Sequence, residues 1–129
     1  MLQYAYSNDG GVSFDAFGEC ANLTAPVTAD WTDVVASVVA VNATAMQPPV
    51  LFFSGPANTT ARQDLRIHAS FNQGTTWNVG KTLFAGPAGY SDMQQVENSG
   101  VGIIFENGNT TFADRISFSL LSWDWLSFT

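Results

Sequence analysis

The sequence predicts an all-β protein, and three observations support this prediction. No long segment of the 129 residues repeats apolar side chains every 3.6 positions, as an amphipathic helix would. β-Branched and aromatic residues occur instead in short runs, which Gly, Pro and Asn separate. Because 46% of the residues are apolar, the chain can pack a core rather than remain disordered. We therefore expect many short antiparallel strands joined by tight turns.

The short runs define the individual strands in chain order. The predicted strands are Gln3–Ser7, Val34–Val41, Val50–Ser54, Leu65–Ser70, Tyr90–Val96, Val101–Glu106 and Arg115–Leu121. Turn-forming clusters lie between them, at residues 8–11, 47–49, 55–58, 98–100 and 106–109. The stretch Phe14–Asp33 has no clear pattern, and we expect it to be a connection. No shift in composition divides the chain, so residues 1–129 are expected to belong to one domain.

Charge and composition exclude several classes of partner. Four basic and eleven acidic residues give a net charge of −7, whereas nucleic acids and anionic membranes require a basic face. The longest apolar stretch, Val34–Val41, is too short to span a membrane. Cys20 is the single cysteine, and His68 has no ligand partner at a suitable spacing, so we expect both to be structural and predict no metal site.

Four segments fit the N-glycosylation pattern, and they begin at Asn22, Asn42, Asn58 and Asn109. This pattern favours a secreted, lysosomal or other extracytoplasmic location and otherwise leaves the compartment open.

Two octapeptides share the same residue types at the same offsets. In each, an Asp or Asn side chain can accept backbone N–H bonds, and a Gly allows positive φ. A terminal aromatic side chain can then fold back beneath the turn and pack between strands. Two such hairpin turns predict a repeated β-sheet unit. The shared positions are Ser7, Asp9, Gly11 and Phe14 in the first copy, and Ser70, Asn72, Gly74 and Trp77 in the second.

These octapeptides resemble the Asp-box, or BNR repeat, of exo-α-sialidases (neuraminidases). The resemblance extends over essentially the whole chain, because further segments follow in the order found near the C-terminal end of that family: 53–56, 62–65, the second Asp-box, 89–93 and 101–106. It implies the C-terminal part of a six-bladed β-propeller. At roughly 40–45 residues per blade, the chain would supply about three blades of antiparallel four-stranded sheets.

The resemblance also implies roles for three residues. Tyr90 matches the nucleophile; a neutral phenol avoids the repulsion that the carboxylate of sialic acid would exert on a carboxylate nucleophile, although it needs a general base. Arg62 matches one of three arginines that clamp the substrate carboxylate, for which a planar guanidinium is suited. Glu106 matches a glutamate that orients another arginine of this triad. From residue type alone, Tyr90 could instead be a core aromatic, Arg62 a surface arginine and Glu106 a strand-end carboxylate.

Other residues of the family pattern are absent. Neither the acid/base aspartate nor the Arg-Ile-Pro segment of the first triad arginine is present. The glutamate that pairs with the tyrosine would precede Met1, and Leu2 lies where the second arginine is expected. The resemblance therefore implies a retaining sialidase that acts on sialylated glycoconjugates, without a cofactor, only when the domain is complete. For this chain alone we expect negligible hydrolysis. The alternative is a non-catalytic Asp-box fragment that binds glycans or proteins, and the oligomeric state is left open.

Overall fold

The computed structural model describes residues 2–27, 34–42 and 49–128. In these ranges every regular element is a β-strand, and no helix is present. The all-β prediction is therefore confirmed. The eight strands are β1 (Gln3–Tyr6), β2 (Asp15–Glu19), β3 (Ser37–Val41), β4 (Val50–Pro56), β5 (Gln63–Ser70), β6 (Lys81–Val96), β7 (Gly100–Asn107) and β8 (Arg115–Leu121).

The strands form two antiparallel sheets. β1 and β2 form a two-stranded sheet, and the other six form one sheet in the order β3-β4-β5-β6-β7-β8. Strands that follow one another along the chain are therefore neighbours in the sheet. The expected division into about three blades is not resolved in this arrangement, which is one continuous six-stranded sheet and a separate hairpin.

β6 has 16 residues and curls the large sheet by changing its pairing partner midway. Its first part, Lys81–Pro87, pairs with β5, and its second part, Ala88–Val96, pairs with β7. The second part also returns to β3, since the hydroxyl of Ser37 donates to Asp92 (2.9 Å) and accepts from the backbone N–H of Met93 (3.0 Å). The change of partner between Pro87 and Ala88, called the bend of β6 below, thus separates the part that pairs with β5 from the part that contacts β3.

The core lies on the inner face of this curled sheet. More than half of the residues of each of β4, β5 and β7 are buried, and the apolar side chains among them form most of this core. Burying each large apolar side chain contributes about 1.5–3 kcal/mol. The fully buried members of the core include Val41, Phe52, Leu65, Ile67, Val101 and Ile103.

The structure corrects the start of the predicted strand Val34–Val41, since β3 begins at Ser37, and two further predictions. Part of the stretch Phe14–Asp33, predicted to be a connection, contains β2; residues 28–33 of that stretch lie outside the described ranges. The predicted strand Tyr90–Val96 is only the second part of β6, which begins nine residues earlier. In both places the two-residue alternation is interrupted, by Ala16 at φ 51° in β2 and by the bend in β6.

Candidate functional site

The two octapeptides form turns of the same design between consecutive antiparallel strands. In the first, between β1 and β2, Asp9 Oδ1 accepts the hydroxyl of Ser7 (2.8 Å) and the backbone N–H of Ser13 (2.9 Å). The hydroxyl of Ser7 in turn accepts the N–H of Gly11 at 2.7 Å. Gly11 has a φ of 92°, which glycine adopts without steric cost.

The second turn, between β5 and β6, repeats these bonds position by position. Asn72 Oδ1 accepts the Ser70 hydroxyl (3.0 Å) and the N–H of Thr76 (2.9 Å), and Gly74 (φ 85°) donates to Ser70 Oγ at 2.8 Å. Asn therefore replaces Asp in this turn without loss of the acceptor. The repeated-turn prediction agrees with the structure at each of these polar positions.

The terminal aromatic residues of the two turns differ. Trp77 is buried and packs edge-to-face against Phe53, with the ring centroids 6.1 Å apart. Phe14 is 54% exposed, so the expectation that it packs beneath its turn is wrong. The reason is architectural: Trp77 lies beside the six-stranded sheet, whereas β1 and β2 form a sheet of their own.

The bend of β6 brings Arg62 next to Tyr90. The backbone N–H of Ala88 donates to the Arg62 carbonyl at 2.9 Å and fixes the start of β5 beside the bend. The guanidinium carbon of Arg62 then lies over the Tyr90 ring, 5.1 Å from its centroid. Tyr90 remains 44% exposed, and no group in the described ranges hydrogen-bonds to its hydroxyl. The structure thus places the predicted carboxylate-binding residue beside the predicted nucleophile.

Glu106, near the end of β7, holds the backbone of Tyr90. Its Oε2 accepts the Tyr90 N–H at 3.0 Å, across the register irregularity between Ala88 and Ser91. This approach requires Gly89, because a Cβ there would collide with the Glu106 carboxylate. The three residues singled out from the sequence, Arg62, Tyr90 and Glu106, therefore form one cluster.

A fourth residue of this cluster was missed from the sequence. Phe112, in the loop between β7 and β8, places its ring centroid 4.6 Å from the Arg62 guanidinium carbon. No motif marks Phe112; the only available signal was an aromatic side chain in a polar loop directly before a strand. Contacts of this kind contribute about 0.5–1 kcal/mol at exposed sites.

Beside this cluster the surface has an open depression of about 280 Å³. Its lining combines polar groups with apolar side chains of β7 and β8. Arg62 is not among the lining residues, since it lies against the Tyr90 ring. The residues that line the depression are Val35, Tyr90, Ser91, Asp92, Ile104, Phe105, Glu106 and Ile116.

The other two arginines of the chain lie in polar contacts of their own. Arg66 pairs with Asp64, with Nη2 2.8 Å from the carboxylate, and Arg115 Nη2 is 3.5 Å from the side-chain oxygen of Asn109. Within the described ranges, Arg62 is therefore the one arginine that contacts Tyr90.

His68 and Cys20 are both buried. His68 Nδ1 lies 2.9 Å from the carbonyl of Asn78, and burial lowers the pKa of this imidazole. Burial has the opposite effect on the Cys20 thiol, whose pKa it raises, because in both groups it disfavours the charged form. Among the described residues, no group of three or more His, Cys, Asp or Glu side chains could hold a metal ion. The same part of the chain contains no helix long and apolar enough to cross a bilayer.

In sequence and in structure, the chain is similar to part of a sialidase. It is 35% identical to sialidase-3 of Bos taurus over 75 residues, which are 56% of this chain and 18% of that protein. It is 29% identical to the sialidase of Vibrio cholerae over 112 residues, which are 84% of this chain and 14% of that protein. No protein-family model matches the chain.

A solved structure supports the same similarity. The Hadza microbial sialidase Hz136 superimposes with a TM-score of 0.61 and 30% sequence identity, covering 71% of this chain and 18% of that structure. The chain therefore spans less than a fifth of the length of each of these relatives.

Proposed function

We propose that this chain is the C-terminal part of an exo-α-sialidase, which removes terminal sialic acid from glycoconjugates with retention of configuration. The observation that carries the proposal is the contact between Arg62 and Tyr90 beside an open depression. Partial similarity to three sialidases supports it. In this proposal the curled sheet and the hairpin are pieces of about three propeller blades.

Tyr90 is the proposed nucleophile. Its oxygen attacks the anomeric carbon and forms a covalent glycosyl-enzyme intermediate, which water then hydrolyses. A phenol with a reference pKa of about 10 needs a base to accept its proton at neutral pH. Glu106 holds the backbone N–H of Tyr90, so we assign the base to a carboxylate elsewhere in the longer protein.

Arg62 is the proposed ligand of the substrate carboxylate. A guanidinium is planar and can donate two parallel hydrogen bonds to a carboxylate. Because Arg62 lies beside Tyr90, a carboxylate bound to it would hold the neighbouring anomeric carbon near the phenol. Glu106 is proposed to orient a further arginine through one carboxylate oxygen. Its Oε2 keeps the Tyr90 backbone in place.

The test is turnover of a fluorogenic sialoside by the full-length protein, by which we mean this chain within the longer sialidase that the proposal implies. Tyr90→Phe removes the nucleophilic oxygen and is expected to abolish the burst and steady-state release of the fluorophore. Arg62→Lys keeps the charge but loses the paired donors, so we expect a rise in KM of about tenfold to a hundredfold. The matched control is Tyr6→Phe, which loses only a hydrogen bond to the Gln73 carbonyl and should leave turnover unchanged. Unchanged turnover in Tyr90→Phe would refute the nucleophile assignment.

A second candidate is a non-catalytic fragment that binds sialylated glycans. It is favoured by the presence of a single arginine beside Tyr90 within the described ranges. The same assay, together with a binding measurement for free sialic acid, separates the two candidates. Arg62-dependent binding of free sialic acid without fluorophore release would support the binding function and exclude the hydrolase.

A further inference from the structure

Phe112 contacts Arg62 from a loop that is distant in sequence. Both side chains are half-buried, and the 4.6 Å between the Phe112 centroid and the guanidinium carbon is shorter than the 5.1 Å to Tyr90. Arg62 therefore contacts two aromatic rings. One of them belongs to the proposed nucleophile, whereas Phe112 has only hydrocarbon to offer a substrate.

The loop that carries Phe112 is held by one carboxylate. Asp114 Oδ2 accepts the backbone N–H groups of Asn109 (3.0 Å), Thr110 (2.9 Å) and Thr111 (3.2 Å), and its Oδ1 accepts the Thr111 hydroxyl (2.7 Å). These bonds keep the pKa of Asp114 at about 2. They surround the position of Phe112 on both sides, so the conformation of the loop is fixed where the ring emerges.

The same loop is attached to the bend of β6. The N–H of Gly108 donates to the Pro87 carbonyl at 3.0 Å, one residue before Ala88, whose N–H holds the backbone of Arg62. A Cβ at Gly108 would collide with the Thr111 carbonyl and the Asp114 carboxylate, so the tight loop requires glycine here. The short segment 87–90 thus carries Tyr90 and also holds the backbone of Arg62 and of the loop that contains Phe112.

We propose that Phe112 is a positioning residue, which holds the Arg62 guanidinium in the orientation that receives the carboxylate of sialic acid. This inference rests on the proposed function. An arginine side chain loses substantial rotamer freedom when it is ordered on binding. Contact with a ring restricts that freedom before the substrate arrives, while the N–H donors of a guanidinium lie in its plane and point away from its faces.

The experiment compares Phe112→Leu with Phe112→Tyr in the full-length protein. Leu keeps an apolar side chain without a ring, whereas Tyr keeps the ring. The ligand-independent measurement is the ¹H–¹⁵N signal of the Arg62 Nε, assigned by its disappearance in Arg62→Lys, because an aromatic ring shifts the resonance of a proton above it. The ligand-dependent measurement is the Kd for free sialic acid. The control is Phe17→Leu, which removes a ring that is 78% exposed on β2.

We expect Phe112→Leu to move the Arg62 signal and to weaken binding of sialic acid about twofold to fivefold. Phe112→Tyr should restore both values, and Phe17→Leu should change neither. An Arg62 signal that stays in place in Phe112→Leu would overturn the contact itself. If the signal moves but the wild-type protein does not bind sialic acid, the contact stands and the proposed function fails. Weaker binding in Phe112→Leu that Phe112→Tyr does not restore would overturn the positioning role.

Discussion

Glycine at position 89 determines how closely the Glu106 carboxylate can approach the backbone of Tyr90. The hydrogen bond from the Tyr90 N–H to Glu106 Oε2 is 3.0 Å long, and a Cβ on residue 89 would occupy the position of that carboxylate. The same Cβ would lie 3.0 Å from the Phe112 ring. The absence of a side chain at residue 89 therefore permits the hydrogen bond between Tyr90 and Glu106 and leaves room for the Phe112 ring.

We predict that Gly89→Ala lowers the free energy of unfolding by about 1–3 kcal/mol, because the added methyl group forces these neighbours apart. In the double variant Gly89→Ala/Glu106→Ala the collision with the carboxylate disappears. The double variant should therefore be less destabilised than the sum of the two single variants, with a coupling of about 0.5–3 kcal/mol. Urea denaturation of the four proteins measures this cycle. Strict additivity would show that the carboxylate does not limit the size of residue 89.

At the scale of the elements, the sequence predicts strands well where the alternation is regular and poorly where it is broken. β7 and β8 lie within one residue of their predicted bounds, because turn residues flank β7 and because apolar residues recur at every second position of β8, at Ile116, Phe118 and Leu120. β2 was missed because Ala16 at φ 51° and a register irregularity in its pairing with β1 disrupt the period of two. The first part of β6 was missed because Gly86-Pro87 interrupts the segment with two residues that are unfavourable inside a strand, at the point where β6 changes its partner.

The candidate site shows the same division. Asp9 and Asn72 were recognisable because their turn bonds are local, within four residues. Tyr90, Arg62 and Glu106 were recognisable only through the order of the segments that resembles sialidases. Phe112 was not recognisable, because its contact with Arg62 joins residues fifty positions apart and depends on the bend of β6.

Two turns of the chain depend on an ionised carboxylate. Hydrogen bonds from Ser13 and Ser7 lower the pKa of Asp9 from 3.8 to about 2, and those from Thr110 and Thr111 do the same for Asp114. Since the folded protein binds these protons less tightly than the unfolded chain, each carboxylate stabilises the fold above about pH 3.8. This contribution is lost as the pH falls through about 2.

We therefore predict that the melting temperature of the wild-type protein falls between pH 4 and pH 2 more steeply than that of Asp9→Asn/Asp114→Asn. Each single variant should show an intermediate dependence. Asn is an appropriate replacement for Asp9 because Asn72 already fills the equivalent position in the second turn. At position 114, Asn keeps a side-chain oxygen that can accept the backbone N–H groups of the loop. Thermal unfolding followed by circular dichroism across this pH range provides the measurement. Parallel curves for the wild type and the double variant would refute the assignment.

At the scale of the whole molecule, one face of β7 and β8 is apolar and exposed. Ile104 pairs with Phe118 across the two strands, and Glu106 pairs with Ile116, so these side chains share a face. The exposed fractions are 50% for Ile104, 70% for Ile116 and 68% for Phe118. The opposite face of β7 carries the buried core residues Val101 and Ile103. A sheet with apolar side chains on both faces is typical of a strand pair that is covered on both sides.

The proposed propeller explains this face, because a neighbouring blade of the closed ring would cover it in a longer sialidase. Phe118→Ser should then have opposite effects on the isolated 129-residue chain, which it improves, and on the full-length protein, which it destabilises. In the isolated 129-residue chain it removes exposed apolar surface, so we expect a larger monomeric fraction in analytical ultracentrifugation. In the full-length protein it removes a buried ring, and the free energy of unfolding should fall by about 3 kcal/mol or more. Val12→Ser, in the first turn and 86% exposed, should change neither quantity. If Phe118→Ser leaves the full-length protein as stable as the wild type, that face is solvent-exposed there too. The chain is then not part of a closed ring of blades.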